Sequence, residues 1–212
     1  MDAVYILGSG SLSKNEELRM SIRSLQKHMV DLDRIFVIGE YPGEWFTGIH
    51  IHMEDLHTEK WKNAYIKTLR ACDSIDISDE FLLMNDDFFM NADFVGAEFP
   101  FYTIPGANGG SSGMNYFGIH CPIRIKKDWY KAMPFSVNMK GEMSPRSFYA
   151  NFYRAPVKKG IDTIVVTGGN CPPFDFQVAD RDFFSIGNNI MTMPIFYEWL
   201  YKKYPLKSRF EK

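Results

Sequence analysis

Short apolar runs alternate with amphipathic helical patterns along the first 90 residues, and this alternation constrains the fold more than any other feature of the sequence. In residues 15–28, Leu18, Ile22 and Leu25 recur at helical spacing, with acidic residues early and basic residues late. Such alternation predicts a mainly parallel sheet covered by helices. We therefore expect an α/β fold, a single domain over residues 1–212 built as a three-layer sandwich. The predicted strands are 3–7, 34–39, 49–53 and 81–85, and the predicted helices are 15–28 and 58–72.

The pattern becomes looser beyond residue 101. Four glycines within residues 106–113 predict a flexible loop, which is a candidate lid because it follows the acidic residues discussed below. The later segments predict helices at 125–132 and 147–154 and strands at 163–167 and 183–186, and an amphipathic segment at 193–204 closes the chain.

Composition limits the function classes. The 212 residues are 45% hydrophobic, which is enough for one sizeable core, and the 24 Lys and Arg against 26 Asp and Glu give a net charge of −2. A balance of this kind gives no overall attraction to nucleic acid or to an anionic membrane. No apolar run has the length of a membrane span, and the three cysteines show no paired spacing, so we expect a cytoplasmic protein with reduced thiols.

The stretch F-L-L-M-N-D-D-F-F-M, residues 81–90, ends an apolar strand with two adjacent carboxylates and then resumes apolar residues. Ligands of open α/β sheets gather at the carboxyl ends of strands, where Asn85, Asp86 and Asp87 are expected. The simpler interpretation is an exposed acidic turn. Apolar residues on both sides argue against it, because a buried carboxylate without a partner shifts its pKa or binds a cation. Oxygen ligands of this type favour Mg²⁺ or Mn²⁺, which often bridge a carboxylate and a diphosphate.

Several separate blocks resemble the Stealth family, which includes capsular polysaccharide phosphotransferases and a sugar-1-phosphotransferase acting on lysosomal glycoproteins. The resemblance implies a compact fold like that of the type A glycosyltransferases and a nucleotide-sugar donor. The blocks are E-L-R-M-S-I-R-S-L at 17–25, S-D-E-F through N-D-D-F-F at 78–89, H-C-P at 120–122, S-P-R-S at 144–147 and Y-P-L-K-S-R-F-E at 204–211.

Carried over to this sequence, the resemblance implies that Asp86 and Asp87 bind the metal and the nucleotide sugar. It also implies that His120 is the base for an acceptor hydroxyl and that Arg146 contacts the diphosphate. These roles suit the chemistry, since histidine titrates near neutrality and a planar guanidinium holds a phosphate through paired hydrogen bonds. We accordingly predict His120, Arg146 and Asp87 as catalytic, with Asn85 beside them in donor binding.

Two segments depart from the family pattern. Gly8 to Ser11 replace the W-V-D-G that usually follows the first strand, and Asn188-Asn189 replace a late N-D pair. A glycine-rich loop that opens a helix still attracts phosphate, so we expect Gly8 and Ser9 to contact the nucleotide. Arg19 and Arg23 share one face of that helix and are either surface charges or phosphate ligands; we predict donor binding.

For several other polar residues, a solvent-exposed position is the alternative to a role in binding. Lys60, Lys62 and Asn63 can reach a nucleotide but also fit an ordinary basic helix face. His50 and His52 lie at strand spacing without a cysteine partner, so we expect no metal there, whereas His57 can approach the acceptor.

The sequence as a whole predicts a transferase, dependent on Mg²⁺ or Mn²⁺, that moves a sugar or a sugar-1-phosphate from a nucleotide-sugar donor to a hydroxyl of a glycan or polysaccharide. One alternative is a glycosyltransferase acting on hydroxymethylated bases of viral DNA, which the charge of −2 disfavours. Another is a non-catalytic nucleotide-sugar binding module, which the Asn188-Asn189 departure suggests. The oligomeric state stays open.

Overall fold

A computed structural model describes residues 1–103, 117, 120–137, 144–154, 156–167, 171–187 and 190–212. Strands and helices alternate through the first 90 residues, as the sequence predicts. The strands are β1 Asp2–Leu7, β2 Ile35–Gly39, β3 Ile49–His52, β4 Glu80–Asn85, β5 Phe88–Met90, β6 Phe101–Thr103, β7 Ile123–Lys126, β8 Val157–Lys159, β9 Ile164–Val165 and β10 Phe183–Ile186. The helices are α1 Glu16–His28, α2 Lys60–Asp73, α3 Lys127–Ala132, α4 Pro145–Tyr153, α5 Phe174–Gln177 and α6 Pro194–Lys203.

The central sheet has the strand order β3-β2-β1-β4-β7. The first four strands are parallel and β7 is antiparallel to β4. In the middle of the sheet, Tyr5 of β1 lies opposite Val37 on one side and Met84 on the other. Because the four parallel strands run in the same direction, their carboxyl ends meet at one edge of the sheet.

Helices cover both faces of this sheet. Side chains alternate across a strand, so Tyr5 of β1 packs in the same cluster as Leu18 and Ile22 of α1, while Val4 packs with Tyr65 and Ala71 of α2 on the opposite face. The result is the predicted three-layer α/β sandwich with a mainly parallel sheet.

The apolar residues after the acidic pair belong to a second sheet. Residues 86 and 87 form a turn, after which β5 pairs antiparallel with β10, and β10 pairs parallel with β9. A separate ladder joins β6 and β8 in parallel. The turn therefore connects two sheets, and the resumed apolar residues are the buried strand β5.

One predicted helix is partly wrong. The segment 125–132 was expected to be helical throughout, but β7 extends through Lys126 and α3 begins only at Lys127. Ile123 and Ile125 are buried and alternate with less buried Arg124 and Lys126, which is the period of a strand pairing with β4. The strands β5, β6 and β8 and the short helix α5 were not predicted. The glycine-rich loop, the candidate lid, and Asn188-Asn189 lie outside the described residues.

In the described part of the chain, no helix is long and apolar enough to cross a membrane. Cys72, Cys121 and Cys171 are free thiols, the first two of them buried.

Candidate functional site

A cavity of about 440 Å³ opens at the carboxyl ends of β1 and β4. It lies where parallel strands deliver polar loops to one edge of the sheet, which is the usual ligand position in open α/β folds. The glycine-rich loop after β1 forms one wall, including the predicted Gly8 and Ser9, and the turn after β4 forms another. The residues of this turn that line the cavity are Asn85, Asp86 and Asp87.

The two aspartates of the turn are poorly compensated. Burial, together with the charges of Asp87 and Glu17, raises the pKa of Asp86 to about 7. Burial also raises the pKa of Asp87, although the charges of His120 and Arg146 oppose this rise. Oδ1 of Asp87 is buried and finds no hydrogen-bond partner among the described residues. Neighbouring buried carboxylates, one of them with an oxygen that has no donor among the described residues, fit a divalent cation.

A third carboxylate faces the same cavity. Glu17, in the first turn of α1, lines the wall and accepts a hydrogen bond from Ser13 Oγ. Its charge raises the pKa of both aspartates, so the cavity is negative at this end. No group of three or more His, Cys, Asp or Glu residues gathers into a ready metal centre in the described ranges. A cation at Asp86 and Asp87 would therefore complete its coordination with donor oxygens and water, as Mg²⁺ commonly does.

The opposite wall contains a buried lysine that the sequence interpretation missed. Lys67 of α2 is only 1% exposed, and its Nζ donates to Leu7 O at 2.7 Å and to Asp55 Oδ1 at 2.6 Å. Gly39, with φ of +132°, makes room for this approach, because a Cβ there would lie 1.9 Å from Leu7 O and 3.0 Å from the ammonium. A signal existed in the sequence, since Lys67 is four residues from both Asn63 and Ala71 on the buried face of α2.

His120 and Arg146 act electrostatically on Asp87 although neither lines the cavity. His120 Nδ1 lies 2.9 Å from Asp162 Oδ2. This hydrogen bond raises the pKa of His120, and the charge of Asp87 adds to it, although burial opposes the rise. Asp162 was not identified from the sequence, because a lone aspartate in an irregular segment carries no pattern.

Arg146 is at the start of α4, and its guanidinium lies over the ring of Phe88 at 5.4 Å. One nitrogen donates to Cys121 O, while its buried Nε has no partner among the residues described. Burial lowers the pKa of Arg146. The structure thus brings together Asp87, His120 and Arg146, the three residues predicted as catalytic.

Arg19 and Arg23 are not brought to the cavity. Arg19 Nε lies 2.6 Å from Glu211 Oε2, and Arg23 Nη2 lies 2.8 Å from the same oxygen. The Glu211 side chain is fully buried and also accepts from Ser208 N at 2.9 Å. These arginines hold the carboxyl-terminal segment against α1, and a role on the donor phosphate has no support in this geometry.

The polar residues predicted on one basic face of α2 have two different surroundings. Lys60, Asn63 and His57 line the cavity, whereas Lys62 forms an ion pair with Glu59 at 2.7 Å. Asn63 holds the backbone of His57 through two hydrogen bonds, at 2.9 and 2.6 Å. The segment before α2 is thereby fixed beside the cavity.

No protein-family model matches the sequence, and no curated protein matches it. Solved structures do resemble the fold. An active-site mutant of LgtC is 11% identical with a TM-score of 0.55, and the match covers 99% of this chain and 98% of that one. The glycosyltransferase GlyE of Streptococcus pneumoniae is 14% identical with a TM-score of 0.44, and the match covers 74% of this chain and 44% of GlyE. The likeness to LgtC over nearly the whole length of both chains shows the type A glycosyltransferase-like fold.

Proposed function

We propose that this chain is a nucleotide-sugar-dependent transferase that passes a sugar or a sugar-1-phosphate to the hydroxyl of a glycan, with a divalent cation at Asp86 and Asp87. One observation carries the proposal: two repelling carboxylates border a cavity of about 440 Å³ at the ligand edge of the sheet, and one of them has a buried oxygen without a partner in the described ranges. The fold shared with LgtC and the Stealth-like sequence blocks agree with it.

Asp86 and Asp87 would hold Mg²⁺ or Mn²⁺. When bound, such an ion neutralises negative charge on the diphosphate and on the leaving nucleotide. The protein residues have complementary tasks. Gly8 and Ser9 offer backbone amides beside the cavity, and Lys67 adds a cation whose third ammonium proton is not used by Leu7 or Asp55. Together these groups would orient the donor before reaction.

His120 is suited to take the acceptor proton. Its Nδ1 is held by Asp162, so that nitrogen carries the proton and Nε2 presents a free lone pair. The same carboxylate stabilises the imidazolium that forms when Nε2 accepts the hydroxyl proton. Arg146 acts on the same Asp87 and supplies a fixed positive charge, because a guanidinium stays protonated in proteins.

Sugar-phosphate transfer and glycosyl transfer release different nucleotides. In sugar-phosphate transfer the acceptor oxygen bonds to phosphorus and a nucleoside monophosphate leaves; in glycosyl transfer it bonds to the anomeric carbon and a nucleoside diphosphate leaves. The Stealth resemblance favours the first. Incubation of the full chain with Mn²⁺ and a panel of nucleotide sugars, followed by identification of the released nucleotide, distinguishes them.

We expect Asp87→Ala to lower turnover by at least about 100-fold, since it removes both a cation ligand and the charge facing His120. Asp76→Ala, at an exposed position, is the matched control and should keep wild-type turnover. Tight donor binding by the wild-type chain without nucleotide release would instead indicate a binding module, and equal turnover in Asp87→Ala would contradict the cation site.

A further inference from the structure

A second, smaller cavity of about 170 Å³ lies between the end of β8 and the start of β10. Its wall combines two aromatic residues, Tyr102 and Phe183, with two basic ones, Lys159 and Arg181. Gly160, Ile161, Asp180 and Asp182 complete it. None of these residues lines the larger cavity.

The negative charge of Asp182 is already compensated. Tyr102 donates to its Oδ2 at 2.9 Å and Lys158 Nζ lies 3.1 Å from the same oxygen. Burial alone would raise the pKa of Asp182, but these two hydrogen bonds outweigh it and lower the pKa. Asp182 is therefore an ionised, fixed acceptor rather than a partner for the cations of the cavity.

The positive charges of Arg181 and Lys159 are not compensated in this way within the described residues. The Arg181 side chain is partly buried, and its Nε is buried without a hydrogen-bond partner in the described part of the chain. Its backbone is held in place because Asn91 Nδ2 donates to Arg181 O at 2.9 Å and to Val178 O at 3.1 Å. Lys159 is exposed at the end of β8. Of the two acidic residues that line the cavity, Asp182 is already paired and Asp180 is left to balance these two positive charges. The cavity is therefore suited to an anion.

The cavity adjoins the catalytic groups. Ile161 lines it, and the next residue is Asp162, whose carboxylate holds His120; neighbouring Cα atoms are about 3.8 Å apart. Strand β10 connects the two cavities, because Phe183 lines the smaller one and Ile186 the larger one. Three residues of strand span about 10 Å. A molecule in the small cavity would therefore lie one residue along the chain from the aspartate that holds His120, and about 10 Å along β10 from the larger cavity.

We infer that the cavity between β8 and β10 is an acceptor subsite for a sugar that carries a carboxylate or a phosphate. Arg181 and Lys159 would bind the anion, Tyr102 and Phe183 would contact the apolar face of the sugar ring, and Asp180 and Asp182 would accept hydrogen bonds from ring hydroxyls. This inference rests on the proposed transferase function, whose acceptor class it specifies as an acidic glycan.

The test measures binding to the full chain by saturation-transfer NMR and titration, with methyl glucuronide, glucose 6-phosphate and uncharged methyl glucoside as probes. We expect one of the two anionic sugars to bind at least about tenfold more tightly than methyl glucoside, as expected for one charge-assisted hydrogen bond. Which of them binds distinguishes a carboxylate from a phosphate acceptor. Arg181→Gln should remove this preference, and Lys159→Gln, at an exposed position that does not threaten folding, should reduce it.

Lys202→Gln, which removes the same charge from an exposed position on α6, should keep the preference. Equal binding of the three sugars, or an unchanged preference in both Arg181→Gln and Lys159→Gln, overturns the inference. Nucleotide release is assayed separately with the wild-type chain. Donor turnover without any preference for an anion refutes only the acceptor subsite. Anion-selective sugar binding without donor binding refutes the proposed transferase function, and the cavity is then a binding site for an acidic sugar and not an acceptor subsite.

Discussion

Replacement of Glu211 by glutamine tests the ion-pair role that the structure gives to Arg19 and Arg23. The Glu211 carboxylate is fully buried between Arg19 and Arg23, at 2.6 and 2.8 Å, and accepts from Ser208 N. Glutamine keeps the shape of the side chain but removes its charge. It leaves two guanidinium groups facing a neutral amide, one of them almost fully buried.

The expected size of the effect follows from the pKa. Burial alone would raise the pKa of Glu211, but hydrogen bonds from Arg23, Ser208 and Arg19 lower it from an ordinary 4.5 to about 2. A lowering of this size stabilises the folded state by about 3 kcal/mol at neutral pH. The stabilisation is complete above pH 4.5 and is lost as the pH falls towards 2. The loss on breaking a buried ion pair is of the same order, 3–5 kcal/mol in general.

The assay is urea unfolding of the wild type and Glu211→Gln, followed by tryptophan fluorescence between pH 7 and pH 2.5. We expect a free energy of unfolding lower by about 3 kcal/mol at pH 7, with the difference shrinking below pH 4.5. Glu198→Gln, exposed on α6, is the control and should change stability by less than about 0.5 kcal/mol. A difference below about 0.5 kcal/mol for Glu211→Gln at pH 7 would refute the ion-pair reasoning and return Arg19 and Arg23 to the list of donor ligands.

Three further predictions concern the site. Asp162→Asn should lower turnover and move the ascending limb of the pH–rate profile to lower pH, because the carboxylate that raises the pKa of His120 is gone; an unmoved limb contradicts the pairing. Asp86→Asn should stabilise the cation-free protein by up to about 4 kcal/mol at pH 8 but by less than about 1 kcal/mol at pH 4, since a carboxyl whose pKa is raised from 3.8 to about 7 costs stability progressively as the pH rises between those two values; urea titrations measure this, and a loss of stability at pH 8 opposes it. Gly39→Ala should destabilise the fold by more than about 1 kcal/mol, because its Cβ would meet Leu7 O, whereas Gly10→Ala, with no atom within 4 Å, should not; equal thermal unfolding of the two variants argues against this account.

The central architecture could be predicted because its signals are local. Leu18, Ile22 and Leu25 mark the buried face of α1, and the apolar run before Asn85 marks β4, so their alternation defines the parallel sheet. The acidic pair was predictable for the same reason, since it follows directly on a strand. The strand β7 was not, because its alternation of Ile and basic residues over four positions also fits the start of a helix.

The rest of the site depends on contacts between distant residues. Arg19 and Arg23 have the spacing of an exposed helix face, and only the fold reveals Glu211, 192 and 188 residues away in sequence, as their partner. Asp162 reaches His120 across 42 residues. Lys67 lies on the buried face of α2, but its partners Leu7 and Asp55 come from other segments, and only the fold places Gly39, at the end of β2, beside its ammonium. Partners of this kind are chosen by tertiary structure and leave little trace in local composition.

The most direct test of the proposed mechanism is a titration of the protein with Mn²⁺, monitored by electron paramagnetic resonance, in the presence of uridine, cytidine or guanosine diphosphate. We predict that at least one diphosphate gives a single protein-bound Mn²⁺ and that Asp87→Asn and Asp86→Asn each weaken its binding by at least about tenfold. Absence of bound Mn²⁺ with every nucleotide, or unchanged affinity in both variants, would contradict the claim that these two carboxylates hold the cation of the donor diphosphate.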